Sequence, residues 1–200
     1  MAERKTMPDP ADDRPSNQVF NIPNQITMAR LVLAVMVFVL ISSRQYTAAL
    51  ITFVIAAGTD WCDGYWARRY DQVTKLGRIL DPLADKIIIC GVFVFLAVDP
   101  DSGVEAWMAV VVMAREMAVT VLRSFIEQSG GDFSARWSGK LKMVFQCVAV
   151  VASLLTLAWG GEAAPDWLLW TRFLSLRVAV IATVQSGVMY AVAASKYLRV

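Results

Sequence analysis

Apolar and polar positions fall in long blocks along this chain rather than alternating residue by residue. Residues 1–21 are polar and rich in Asp, Arg and Pro; such a stretch reads as a disordered or surface-lying tail. It lacks the apolar core of a cleaved signal peptide, so the first apolar run is expected to stay in the mature protein. From residue 22 onward six apolar runs follow, separated by short polar links. The first is Leu31–Ile41, entered through N-I-P-N-Q-I-T-M-A-R, with Pro23 suited to a helix start and Asn24 to its cap. The second, Tyr46–Gly58, reaches spanning length only if its helix continues to about Arg69, because a span needs roughly 20 residues. The third starts at Pro82, with Asp81 as N-cap and the proline in the first turn, and ends near Val98. The fourth covers about Val104–Ile126, the fifth Gly139–Trp159 and the sixth Arg172–Tyr197. The pattern predicts an all-α integral membrane protein of six transmembrane helices, with residues 1–21 as a tail and 22–200 as one six-helix transmembrane domain.

Charge orients the helices. With the N-terminus inside, 16 of the 19 Lys and Arg residues fall in inside segments, and only Arg44, Arg172 and Arg177 fall outside. That bias selects an N-in, C-in arrangement. Trp107, Trp159, Trp167 and Trp170 then lie near outer interfaces and Trp66 and Trp137 near inner ones, as membrane-anchoring aromatic belts do.

Composition agrees. The chain is 57% hydrophobic with a mean hydropathy of +0.51, above the ~45–50% apolar share of soluble domains. A net charge of +2 gives no pointer to nucleic acid. Cys62, Cys90 and Cys147 lack C-x-x-C spacing and read as buried packing residues. The absence of histidine from the whole chain excludes Ser-His-Asp catalysis and the usual zinc hydrolase sites.

Against this apolar background one stretch stands out, T-D-W-C-D-G-Y-W-A-R-R-Y-D-Q-V-T-K-L-G-R-I-L-D-P-L-A-D-K. Asp60 and Asp63 are three apart and Asp81 and Asp85 four apart, so each pair shares a helix face. Carboxylates beside a membrane must be paired, hydrated or bound to a cation. They could be solvated caps or partners of Arg68, Arg69, Arg78 and Lys86. Two pairs with small residues beside them favour a divalent cation, and oxygen ligands alone favour Mg²⁺, Mn²⁺ or Ca²⁺. Gly64, Ala67 and Gly77 leave room for a ligand to approach the helices or for another helix to pack.

A basic cluster belongs to the same side. Arg115 and Arg123 are eight apart, two turns along one helix face, and R-W-S-G-K-L-K adds Arg136, Lys140 and Lys142. The inside excess of positive charge accounts for part of this. Arg115, however, is expected in the hydrocarbon-facing part of the fourth helix, where an unpaired charge costs at least ~2.5 kcal/mol. Glu116, its neighbour in sequence, is expected to point elsewhere. An acceptor phosphate is the better partner for these cations. Arg30 reads equally as a snorkelling cation or as part of a site.

The string Asp60-x-x-Asp63-Gly64-x-x-Ala67-Arg68, eight residues, Gly77, three residues, Asp81, three residues, Asp85 resembles the signature of the CDP-alcohol phosphotransferase family at all eight fixed positions. Within that family, N-I-P-N-x-I-T-x-x-R, L-D-P-x-A-D-K, R-E followed by L-R, and S-G-K-x-K resemble the bacterial branch that transfers to glycerol 3-phosphate. Met143 and Ser124 depart from that branch, which often has threonine and an acidic residue there, and the polar tail is longer than usual. The resemblance implies a CDP-diacylglycerol-dependent phosphatidyltransferase. It implies that Asp60, Asp63, Asp81 and Asp85 bind Mg²⁺ or Mn²⁺, as two ions, with Asp85 also the catalytic base. It implies that Gly64, Ala67, Arg68 and Gly77 bind the CDP group, and that Arg115, Arg123, Lys140 and Lys142 bind the acceptor phosphate. A homodimer in the cytoplasmic membrane, with its site facing the cytoplasm, is implied as well. Phosphatidylglycerol or inositol phosphate as acceptor, a membrane prenyltransferase and an ion-coupled transporter are the alternatives. Six helices and the 18-residue step from Asp63 to Asp81 argue against the prenyltransferase, and the lack of an internal repeat argues against the transporter.

Overall fold

The computed structural model describes residues 22–70, 75–128 and 137–195. Six long helices account for nearly all of them: α1 (Ile22–Ser42), α2 (Tyr46–Tyr70), α3 (Lys75–Leu96), α4 (Ala106–Gln128), α5 (Trp137–Ala158) and α6 (Asp166–Ser195). Two short 3₁₀ turns, Pro100–Ser102 and Gly161–Ala163, lie in the α3–α4 and α5–α6 links, and there is no strand among the described residues.

Three helix starts differ from the sequence expectation. Helix α3 begins at Lys75, six residues before Asp81, so Asp81 and Pro82 lie inside it rather than at its start. Proline interrupts an internal helix by removing one N–H; helices that pack within a membrane tolerate this because neighbours resatisfy the freed carbonyl. Asn24 falls within the first turn of α1 instead of capping it. Helix α6 begins at Asp166, not Arg172. Its start follows Pro165, whose carbonyl accepts from the Leu168 N–H at 2.9 Å, and Asp166 in the first turn complements the helix dipole.

The links among the described residues, 43–45, 97–105 and 159–165, are short turns. After α1 the Gln45 N–H donates to the Leu40 carbonyl and the Arg44 N–H to that of Ile41, both at 2.9 Å. This is a Schellman stop, and it holds Arg44 at φ 57°, the left-handed conformation that usually selects glycine. Packing follows from the resulting up-and-down course. Helix α1 lies against α2 and α3, α4 against α3 and α6, and α5 against α6 and α2. Phe53, Phe93, Leu96, Met108 and Leu154 are fully buried between them, interleaved with alanines such as Ala34, Ala49, Ala149 and Ala179. Small residues let helix backbones approach closely, which is how helices associate where lipid offers no hydrophobic drive. Gly91 is the tightest case: a Cβ there would sit 2.2 Å from the Phe38 ring, which stacks on Phe95 at 5.0 Å.

The outward faces are apolar too. Val39, Ile51, Val110, Val121, Leu174 and Ile181 are all more than half exposed. A helix apolar on every side belongs in a core or a membrane. Among the described residues, the Leu141–Ala158 part of α5 and the whole of α6 are long and apolar enough to cross one.

At the end where α3 and α5 finish and α4 and α6 start, polar contacts join the helices. The Tyr46 hydroxyl at the start of α2 donates to Asp99 at 2.5 Å. Arg172 of α6 donates to the Asp101 carbonyl at 2.6 Å and to Glu162 at 2.9 Å. Trp107, Trp159, Trp167 and Trp170 are exposed around this same end, and Trp159 and Trp167 meet edge-on at 6.1 Å.

Candidate active site

The opposite end collects the chemistry. Because the α1–α2, α3–α4 and α5–α6 links meet at the end just described, the last turns of α2, α4 and α6 and the first turns of α1, α3 and α5 point to this one. Asp60 and Asp63 lie on α2 and Asp81 and Asp85 on α3, all within about three turns of that end at 1.5 Å per residue. The side chains of Asp60, Asp63, Gly64, Ala67, Arg68, Gly77, Asp81, Asp85 and Lys140 lie outside the described residues, as do those of Trp66 and Trp137. The metal and CDP roles expected for them therefore remain what the family resemblance implies. Two carboxylate pairs at helical spacing, in a chain with no imidazole, fit a hard divalent cation.

The basic cluster is described in detail. Arg115 on α4 is not lipid-facing; its side chain is 9% exposed and turned toward α6. Nη2 donates to Ser186 Oγ at 2.5 Å, and the guanidinium carbon lies 5.4 Å from the centroid of the Tyr190 ring, a cation–π contact. Gly187 makes room for the arginine stem, since a Cβ there would come within 3.3 Å of Arg115 Cγ.

Glu116 does not point elsewhere. Arg115 Nη1 donates to both of its carboxylate oxygens at 3.3 Å, and Lys142 Nζ on α5 pairs with Oε1. Neighbouring residues on a helix diverge by about 100°, but the arginine side chain is long enough to turn back. Glu116 and Lys142 are themselves buried, with side chains 9% and 6% exposed. One turn along α5, Gln146 donates to Thr183 of α6 at 3.0 Å, extending the polar seam between these helices.

Arg123, two turns after Arg115, reaches the Tyr190 hydroxyl at a long 3.5 Å. The structure thus brings Arg115, Arg123 and Lys142 together around α6. Nε of Arg115 and Nε of Arg123 are both buried with no hydrogen-bond partner among the described residues. A buried donor left unmade costs about 1–3 kcal/mol, so these two nitrogens mark a place where an anion would be stabilised. Arg30 is 5% exposed and lies within the bundle, so it is not a snorkelling cation.

This arrangement has known relatives. The chain matches the CDP-alcohol phosphatidyltransferase family over residues 20–192. It belongs to that family. The match takes in α1 to α5 whole and all but the last three residues of α6. Among curated members of the CDP-alcohol phosphatidyltransferases, the CDP-diacylglycerol–glycerol-3-phosphate 3-phosphatidyltransferase of Bacillus subtilis (strain 168) is 38% identical over 190 residues, covering 86% of this chain and 94% of that protein. The protein of the same name from Escherichia coli (strain K12) is 33% identical over 180 residues, covering 88% and 95%.

Three residues of the cluster were not among the candidates named from sequence: Glu116, Ser186 and Tyr190. A charged pair, Arg115-Glu116, inside an apolar helix was the available signal for the first. Ser186 and Tyr190, four apart, share the buried stripe of α6 with Thr183 and Ala179, but nothing in α6 alone says which helix that stripe faces.

Proposed function

We propose that this protein transfers the phosphatidyl group of CDP-diacylglycerol to sn-glycerol 3-phosphate, giving phosphatidylglycerophosphate and CMP. The chain is a transferase of phospholipid biosynthesis, as its relatives' names describe. The observation that carries the acceptor is the pair of arginines on α4, Arg115 and Arg123, each with a buried, unbonded Nε. An acceptor bearing its own phosphate supplies the anion they lack, and arginine holds phosphate through parallel hydrogen bonds. An acceptor without a free phosphate would leave both nitrogens unmade.

The reaction joins an acceptor hydroxyl oxygen to the β-phosphorus of the diphosphate while the bond from that phosphorus to the bridging oxygen breaks. CMP leaves with the bridging oxygen. Asp85 takes the hydroxyl proton, which requires its carboxylate within about 2.6–3.2 Å of that oxygen. Arg115, Arg123, Lys140 and Lys142 hold the acceptor phosphate and so orient the hydroxyl toward the donor. Arg68 holds the diphosphate, and Gly64, Ala67 and Gly77 let the cytidine and ribose lie close to α2 and α3. Asp60, Asp63, Asp81 and Asp85 would hold Mg²⁺ or Mn²⁺, as two ions, which when bound neutralise phosphate oxygens and stabilise the departing CMP.

All six helices cross the membrane in this reading, with both termini and the site on the cytoplasmic side, the tail at residues 1–21 preceding the catalytic domain, and the acyl chains of the donor against apolar outer faces. The inner membrane and a homodimeric state follow from the same reading. Purified protein in detergent, supplied with CDP-diacylglycerol, Mg²⁺ and a panel of acceptors, tests it by CMP release. Release with glycerol 3-phosphate and not with phosphatidylglycerol or inositol phosphate is expected. Release with one of the others instead would overturn the acceptor, and no metal-dependent release with any acceptor would overturn the chemistry.

A further inference from the structure

Glu116 is a buried carboxylate inside a cluster read above as an anion site, and nothing in the reaction consumes it. A negative charge there weakens the pull on a phosphate, so it needs another reason to be present. Its geometry supplies one. The carboxylate accepts from Arg115 Nη1 through both oxygens at 3.3 Å and pairs with Lys142 Nζ across the α4–α5 boundary. Ser186 fixes the other terminal nitrogen of the same guanidinium at 2.5 Å, and the guanidinium carbon lies over the Tyr190 ring, 5.4 Å from its centroid. Both terminal nitrogens are thus engaged, and the buried Nε remains without a partner.

We infer that Glu116 is a positioning residue for the acceptor: it holds Arg115 and Lys142 in fixed places so that the arginine presents its Nε edge, with Lys142, to the acceptor phosphate. The inference rests on the acceptor reading given above. Two opposing effects follow from removing the carboxylate. Loss of a negative charge strengthens the general attraction for phosphate. Loss of the shared partner leaves two buried cations that repel one another, and frees Arg115 to turn. Breaking one partner out of a buried charge pair typically costs more than the rim electrostatics it leaves behind, so weaker acceptor binding is the net result.

The full chain in detergent tests this with Glu116→Gln and Glu116→Asp, measuring CMP release against glycerol 3-phosphate and, separately, against CDP-diacylglycerol. The expected result for Glu116→Gln is a KM for glycerol 3-phosphate raised about tenfold or more, with the KM for CDP-diacylglycerol unchanged. Glu116→Asp keeps the charge and restores most of the acceptor affinity. If the glutamine variant does not accumulate as folded protein, Glu116→Asp is compared with wild type instead, and its shorter reach to Arg115 and Lys142 is expected to raise the acceptor KM modestly while leaving the KM for CDP-diacylglycerol unchanged. An unchanged or lowered acceptor KM overturns the inference, because the charge would then be neutral to binding or opposed to it. So does a fall in kcat with both KM values unchanged, which a merely structural role would give. Wild-type turnover with a different acceptor overturns the acceptor reading, and the KM for that acceptor then decides the Glu116 inference by the same comparison.

Discussion

Replacing Arg115 by lysine separates charge from geometry in the acceptor site. The substitution keeps one positive charge on α4 and removes the planar fork. Arg115 makes three contacts: Nη1 to Glu116, Nη2 to Ser186, and its guanidinium carbon over the Tyr190 ring. A single ammonium can replace one of them. It also lacks any counterpart of the buried, unbonded Nε, the donor expected to meet the acceptor phosphate. One charge-assisted hydrogen bond is worth about 1.5–3 kcal/mol, and each 1.4 kcal/mol is tenfold in affinity. The KM for glycerol 3-phosphate should therefore rise about 10- to 150-fold, while the KM for CDP-diacylglycerol stays within about twofold. The assay is CMP release over a range of acceptor concentrations at saturating donor. Arg115 is buried and loses two of its three contacts, so a thermal melt in detergent must first show that the variant folds. A KM within about threefold of wild type would refute the reasoning, because long-range attraction alone would then account for the role of Arg115.

Other outcomes follow from the same geometry. Tyr190→Phe should change the acceptor KM by less than about threefold, since the bond it removes is 3.5 Å long, whereas Tyr190→Ala, which removes the ring under Arg115, should raise it about fivefold or more through loss of the cation–π contact; equal effects would show the hydroxyl to be the active part. Chelation with EDTA should abolish CMP release, with recovery on adding Mg²⁺ or Mn²⁺, and Asp85→Asn should abolish it irrecoverably while leaving the melting temperature within a few degrees; recovery of the variant with excess metal would remove Asp85 as the base. Arg44→Gly should raise stability by about 1 kcal/mol, read as a higher melting temperature, because glycine adopts the left-handed φ of 57° without the Cβ penalty; a lower melting temperature would mean that the arginine side chain matters more than its backbone.

The apolar blocks were enough to locate six helices, because a run long enough to be buried on all sides carries its own signal. They located the α2 helix end near Tyr70 for the same reason: Tyr46–Gly58 was too short alone. The Asp spacing and the signature around it were likewise legible, being local in the chain. Helix starts were less so. Asp81-Pro82 resembles a capped start, yet α3 begins at Lys75, since a polar stretch gives no periodic apolar signal and an internal proline is tolerated among packed helices. At α6 the tryptophans obscured a start that Pro165-Asp166 marked. The partners of Arg115 lay beyond the sequence altogether. Whether a buried cation on α4 is paired depends on which helices lie against it, and that is decided by the packing of α4 on α6 and of α6 on α5. Only that packing sets Ser186 and Tyr190 beneath the guanidinium and Lys142 across from Glu116, because electrostatic pairing acts through space over a few ångströms while the residues that make it are separated by up to 75 positions in the chain.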